Sequence, residues 1–167
     1  MWASDDSVLG SIERSKAHLD QILHRSGMIF LIRSDGKILL QRPSPSNATF
    51  PGCWDSSGSF HVTFGESDEP APRRELKEEA GVSASLTYLG KFSYHVPPEN
   101  EIVAVFSFRS DDPIRIDPAE SSEASFHTKD DVNVIAASKT ATPWLTKGWK
   151  ILADLNYRSR VNKRTDH

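Results

Sequence analysis

A chain of 167 residues with 37% apolar and 26% charged residues can bury a core as one domain, without disulfides or a structural metal. Its formal net charge of -3 supplies no global basic field, so neither nucleic acid nor an anionic membrane is an expected partner. A small anionic substrate would need local basic groups or a metal ion instead.

Cys53 is the sole cysteine, which excludes an internal disulfide and fits a reducing compartment. Its side chain is read as a small buried apolar group. The opening MWASDDSVLG lacks a basic segment followed by an apolar run, so no signal peptide is expected. No apolar stretch approaches the ~18–20 residues of a membrane span. The default expectation is the cytoplasm.

In chain order, residues 1–9 are polar and expected to fray. Leu9, Ile12, Leu19, Ile22 and Leu23 recur at helical spacing and predict a helix over about 10–23. Runs at 28–32 and 37–41 are β-rich, and Asp35-Gly36 between them is a hairpin signal. Prolines 43, 45 and 51 mark a loop over 43–52, and 53–62 is expected to be extended. Residues 69–80 predict a helix that stops at Gly81. Strands are expected at 86–96 and 102–108, then a polar loop at 110–121. The apolar pattern of Trp144, Trp149, Ile151, Leu152 and Leu155 predicts a closing helix over about 143–157. This divides the chain into an N-terminal extension (1–17), one domain (18–157) and a flexible basic tail (158–167).

Chemistry concentrates in SGSFHVTFGESDEPAPRRELKEEAGV, residues 57–82. On a helix, Glu75, Glu78 and Glu79 stand three and four residues apart and share a face. Clustered carboxylates repel one another, and a hard divalent cation removes that cost because Mg²⁺ prefers oxygen ligands. Arg74 lies four residues before Glu78 and can hold it in place. Leu76 and Ala80 can face a core. Glu66 precedes the helix and can return a further carboxylate. An isolated ELKEEA run is ordinarily a solvated helix face, but the flanking residues change that reading.

The stretch resembles the Nudix box, G-x5-E-x7-R-E-U-x-E-E-x-G-U, with U a bulky aliphatic. Glu66, Arg74, Glu75, Leu76, Glu78, Glu79, Gly81 and Val82 meet eight of the nine defined positions. Such a match is expected by chance roughly once per million chains at ordinary residue frequencies. The opening glycine is replaced by Phe60, which resists positive φ. Gly58, two residues earlier, is expected to supply any special turn, leaving Phe60 free to bury its ring. Pro70 and Pro72 fit only if the helix begins near Glu69 or Pro70.

The resemblance extends over residues 18–157. His18, His24-Arg25, FLIRSDGKILLQR, FPGCWD, His61-Val62 and Glu99-Asn-Glu101 are similar to the isopentenyl-diphosphate-isomerase-like branch of the superfamily. It implies an α/β fold, a Nudix-type α/β/α sandwich with a mixed central sheet. In that isomerase, histidines and glutamates hold a metal, and the matching positions are His24, His61, Glu99 and Glu101, with His18 less surely aligned. The isomerase places a cysteine acid where this chain has Ser59, and a serine hydroxyl is a far weaker acid than a thiol of pKa ~8.5. It also grips diphosphate with basic residues, of which this chain keeps Arg42 but has Pro43 and Asn47 where an Arg and a Lys are expected.

The resemblance therefore implies a Nudix-type pyrophosphohydrolase dependent on Mg²⁺ (or Mn²⁺) and acting on a diphosphate linkage in a small, nucleotide-like molecule. The alternatives are an isomerase-like enzyme or a non-catalytic nucleotide-binding module. Glu75, Glu78, Glu79 and Glu66 are the implied metal set. Glu75, Glu79 and Arg74 are the implied catalytic residues, with Glu101 an alternative general base. Arg42, His61, Trp54 and Tyr94 are candidate substrate contacts. Phe92 joins Trp54 and Tyr94 as a ring able to flank a base or a prenyl chain.

Overall fold

A computed structural model of the chain describes residues 10, 13–45, 49–62, 85–114, 119 and 121–162. The box helix expected at 69–80, with Pro70 and Pro72, and Glu66, Arg74, Glu75, Glu78 and Glu79 lie outside the described residues. So do the side chain of His18 and residues 1–9.

A mixed sheet is built of β1 (His24–Ile32), β2 (Ile38–Pro43), β3 (Gly58–His61), β4 (Thr87–Val96), β5 (Glu99–Arg109) and β6 (Ser121–His127). The order is β4-β5-β1-β2-β6, with β3 also paired to β1. β1 and β5 run parallel, and the other pairs are antiparallel. The central strands β1 and β5 are buried on both faces, which is why their sequences read as continuous apolar runs. The hairpin between β1 and β2 turns at Asp35-Gly36, where Gly36 takes a φ of 82° that a side chain disfavours.

Three helices are present among the described residues: α1 (Arg14–Leu19), α2 (Lys129–Ala136) and α3 (Pro143–Asn162). The predicted helix over 10–23 shortens to α1, because Gln21 turns the chain at a φ of 52° and β1 begins at His24 rather than Met28. Over 53–62 the chain is extended, as short bridges at Trp54 and Asp55 followed by β3. β6 enters where a polar loop was expected to end, and α2 is an element the periodicity did not predict. α2 carries a capping box in which Thr128 and Asp131 bond each other's backbone N–H groups. α3 continues to Asn162, so 158–162 of the expected flexible tail are helical. No helix among the described residues is long and apolar enough to cross a membrane.

Strand alternation splits the core between the two sheet faces. Met28, Phe30, Leu40, Val103 and Val105 meet α2 and α3 through Val132, Leu145, Trp149 and Leu152. Gly148 lets α3 approach closely, since a Cβ there would stand 2.3 Å from the Met28 sulfur. The Trp149 indole donates to the Asn133 side chain at 2.8 Å and ties α3 to α2. Ile29, Leu31, Leu39, Phe60, Ala104, Phe106 and Phe108 form the opposite cluster.

Phe60 is 4% exposed, as expected for a buried ring. The role expected of Gly58 is corrected. Among the described residues neither Phe60 nor Gly58 has positive φ, so no special turn is needed. The ring is accommodated by Gly27, its partner across the β1–β3 ladder, where a Cβ would stand 2.1 Å from the tip of the phenyl. Cys53 is half-buried rather than buried, because it sits in the turn that follows Gly52.

Candidate metal centre and substrate cavity

Register alone brings three polar side chains to one point. His24 on β1 pairs with Glu101 on parallel β5, and Ser26, two residues along β1, pairs with His61 on β3. Side chains two residues apart share a face, so His24, His61 and Glu101 join Ser26 on the face that carries α2 and α3. The His24 Nε2 lies 3.4 Å and the His61 Nε2 3.7 Å from the same Glu101 oxygen, Oε1. The two imidazoles stack at 5.5 Å with 15° between planes. One ligand atom from each of the three residues falls within 4.8 Å of the others. Two imidazole nitrogens and a carboxylate oxygen form a donor set that suits a divalent transition ion.

Neighbouring residues orient this cluster. The His24 Nδ1 meets the Ile22 carbonyl at 2.9 Å, which turns Nε2 toward Glu101. The Trp144 indole donates to the other Glu101 oxygen at 2.8 Å. Trp144 is itself held between Tyr94, at 4.8 Å, and Phe50, at 5.5 Å. Burial opposes a charge on His24, yet hydrogen bonds to Glu101 and Ile22 and the Glu101 and Glu99 charges hold its pKa above the ordinary value. Burial likewise opposes ionisation of Glu101, but bonds from His24 and Trp144 and the charges of His61 and His24 hold its carboxyl below the usual range.

The cluster opens into a cavity of about 500 Å³. Ser26, Gln41, Asp55, His61, Glu99, Glu101 and Trp144 are among its walls. Of the sequence-derived candidates, His61, Glu99, Glu101 and Ser59 line it. Glu99 is buried, and its Oε1 accepts from the Thr49 hydroxyl at 3.2 Å. Tyr94 packs behind Trp144. Arg42 and Trp54 face elsewhere: the Arg42 guanidinium lies 4.5 Å over the Trp54 ring and 3.3 Å from Glu123, and Trp54 is core. Phe92 sits at the edge of the core beneath Lys147.

Sequence reasoning did not single out Asp55, Gln41 or Trp144 as cavity residues. The signal for Asp55 was its place in FPGCWD. Asp55 is half-buried as a residue, but its carboxyl is enclosed, and that enclosure raises its pKa from 3.8 to about 6 against the opposing bonds of Ser56 and Thr142. A folded pKa above the unfolded one means that Asp55 contributes full stability below about pH 4 and loses it as pH rises through about 6. Asp55→Asn is therefore expected to be more stable than the parent at pH 8, by on the order of 2–3 kcal/mol. Urea unfolding of both proteins at pH 4 and pH 8 checks this, and a stability gap that does not widen with pH would refute it.

A family model described as the NUDIX domain matches residues 23–147. A Nudix hydrolase of Pseudomonas aeruginosa is 36% identical over 127 residues, covering 75% of each protein. An isopentenyl-diphosphate delta-isomerase of Nocardia farcinica is 32% identical over 165 residues, covering 93% of this chain and 94% of that one. A solved structure from Deinococcus radiodurans superposes with a TM-score of 0.73 at 30% identity, over 89% of this chain and 94% of the other. With the box matched in sequence and the mixed sheet in structure, the chain belongs to the Nudix family and is a Nudix-type hydrolase.

Proposed function

We propose that the protein is a divalent-metal-dependent pyrophosphohydrolase that cleaves the diphosphate linkage of a nucleoside diphosphate derivative or a similar small molecule. The observation that carries this reading is the position of the glutamate box. It begins on β3, the strand that delivers His61 to the cavity, and it supplies Glu66, Arg74, Glu75, Glu78 and Glu79 within the following residues.

Glu75, Glu78 and Glu79, with Glu66, are the residues to hold Mg²⁺, and His24, His61 and Glu101 fit a further divalent ion of the Mn²⁺ kind. A bound ion of either kind acidifies water and neutralises phosphate oxygens. Arg74 orients the box glutamates. One Glu101 oxygen accepts from the Trp144 indole and the other faces the Nε2 atoms of His24 and His61, so Glu101 serves better as a ligand than as the general base. Glu75 is then the preferred base.

The isopentenyl-diphosphate-isomerase reading is favoured by the His24–His61–Glu101 cluster and by the isomerase relatives. It is disfavoured at Ser59, an exposed serine at the cavity wall where a thiol acid is required. Phosphate release from a panel of nucleoside and prenyl diphosphates, beside deuterium incorporation from isopentenyl diphosphate, separates the two. Hydrolysis is expected, with Mg²⁺ or Mn²⁺ required and no isomerisation. Full turnover in excess EDTA would refute the metal assignment, and deuterated product would overturn the choice of reaction.

A further inference from the structure

Part of the cavity wall is made by an antiparallel bridge between Gln41 and Asp55, whose backbones exchange hydrogen bonds of 3.2 and 2.7 Å. Directly opposed residues present their side chains to the same side, and both line the cavity. The Gln41 amide is oriented by its oxygen, which accepts from the Ser121 hydroxyl. Its NH₂ group has no hydrogen-bond partner among the described residues. The Asp55 carboxylate accepts from the Ser56 N–H at 2.7 Å and from the Thr142 hydroxyl. No Lys, Arg or His among the described residues lies within ion-pair distance of it. An enclosed carboxylate costs stability unless something donates to it, and an ionised carboxyl has about four acceptor sites. One donor and one acceptor thus stand side by side in a cavity whose other walls include the rings of Phe50 and Trp144.

We propose that Gln41 and Asp55 are the residues that select the substrate's head group, reading an edge that offers an amino group beside an unprotonated ring nitrogen. Asp55 accepts from the amino group, Gln41 donates to the ring nitrogen, and the aromatic walls flank the plane. Cytosine and adenine present that edge. Uracil and hypoxanthine invert it, setting a carbonyl against the carboxylate and an N–H against the amide. A prenyl chain offers no donor and would strand the carboxylate against hydrocarbon. Asp55 stands outside the group of residues within 4.8 Å that defines the metal cluster, so it acts on selection rather than on ion binding.

This assignment deepens the hydrolase reading and is tested apart from it by binding. Calorimetric affinities for cytidine and uridine diphosphates, and for adenosine and inosine diphosphates, are compared in the parent, Asp55→Asn and Gln41→Met. The parent is expected to favour the amino member of each pair at least tenfold, since a site built on polar groups rejects ligands that leave them mispaired. Asp55→Asn, which adds a donor where the site needs an acceptor, brings each ratio near one or inverts it. Gln41→Met lowers each ratio by at least threefold. Unchanged ratios in both variants, or equal losses for both members of a pair, would overturn the assignment, as would a parent that binds none of the four nucleotides. A parent that keeps the binding preference but releases no product would strike the hydrolase reading alone. Turnover of the panel without preference between pair members would strike this proposal alone.

Discussion

Glu79→Gln is expected to lower kcat at least a hundredfold, about 2.7 kcal/mol of barrier, while leaving the fold intact. Glutamine keeps the size and one acceptor oxygen but removes the charge proposed to hold a hard cation, and Mg²⁺ binds neutral amides weakly beside carboxylates. Removing one of several carboxylates spaced three and four residues apart in sequence also lowers like-charge repulsion, so the variant should melt no lower than the parent without metal. Steady-state kinetics at saturating Mg²⁺, with a melting curve as control, decide it. A variant as active as the parent would move the chemistry away from the box, and the His24–His61–Glu101 cluster would become the first place to look.

Phe60→Gly is expected to destabilise the protein by about 3 kcal/mol, because a fully packed ring is removed from between Gly27 and Phe106. Gly27→Ala should cost roughly 1–3 kcal/mol by overpacking, since its Cβ and the phenyl would compete for one volume. The two changes are strongly coupled: in the Phe60→Gly background, Gly27→Ala should cost almost nothing. Urea unfolding of the parent, both single variants and the double variant measures the coupling. Equal costs for Gly27→Ala in both backgrounds would show that the pair does not share a volume. Metal affinity is not expected to rise in Phe60→Gly, because Phe60 is not held at positive φ and no strain awaits release.

Legibility tracked how local each signal was. The β1–β2 hairpin, the long strands β4 and β5 and the start of α3 were readable because periodicity and turn chemistry act over a few residues. Helix α1 was overextended because apolar spacing alone does not announce the turn at Gln21. Helix α2 was missed although Thr128 and Asp131 spell a capping box, since only Val132 and Ala136 of its eight residues are buried. Arg42 and Trp54 were singled out by residue type, but the Arg42 guanidinium lies over the Trp54 ring and beside Glu123, and Trp54 packs in the core.

The sequence by itself determined the family and the chemistry to expect, because the box glutamates are specified by helical spacing within a short segment and need no partner to be recognised. It also named His24, His61 and Glu101 as matched positions. Only the tertiary structure decided that their ligand atoms converge within 4.8 Å, because that depends on β1 running parallel to β5 in the register His24 to Glu101 and antiparallel to β3 in the register Ser26 to His61. The same dependence hid Asp55 and Gln41. They are 14 positions apart in sequence and become one donor–acceptor pair only when a strand bridge sets them face to face. A one-residue slip in any of these ladders would send the side chains to the opposite face of the sheet.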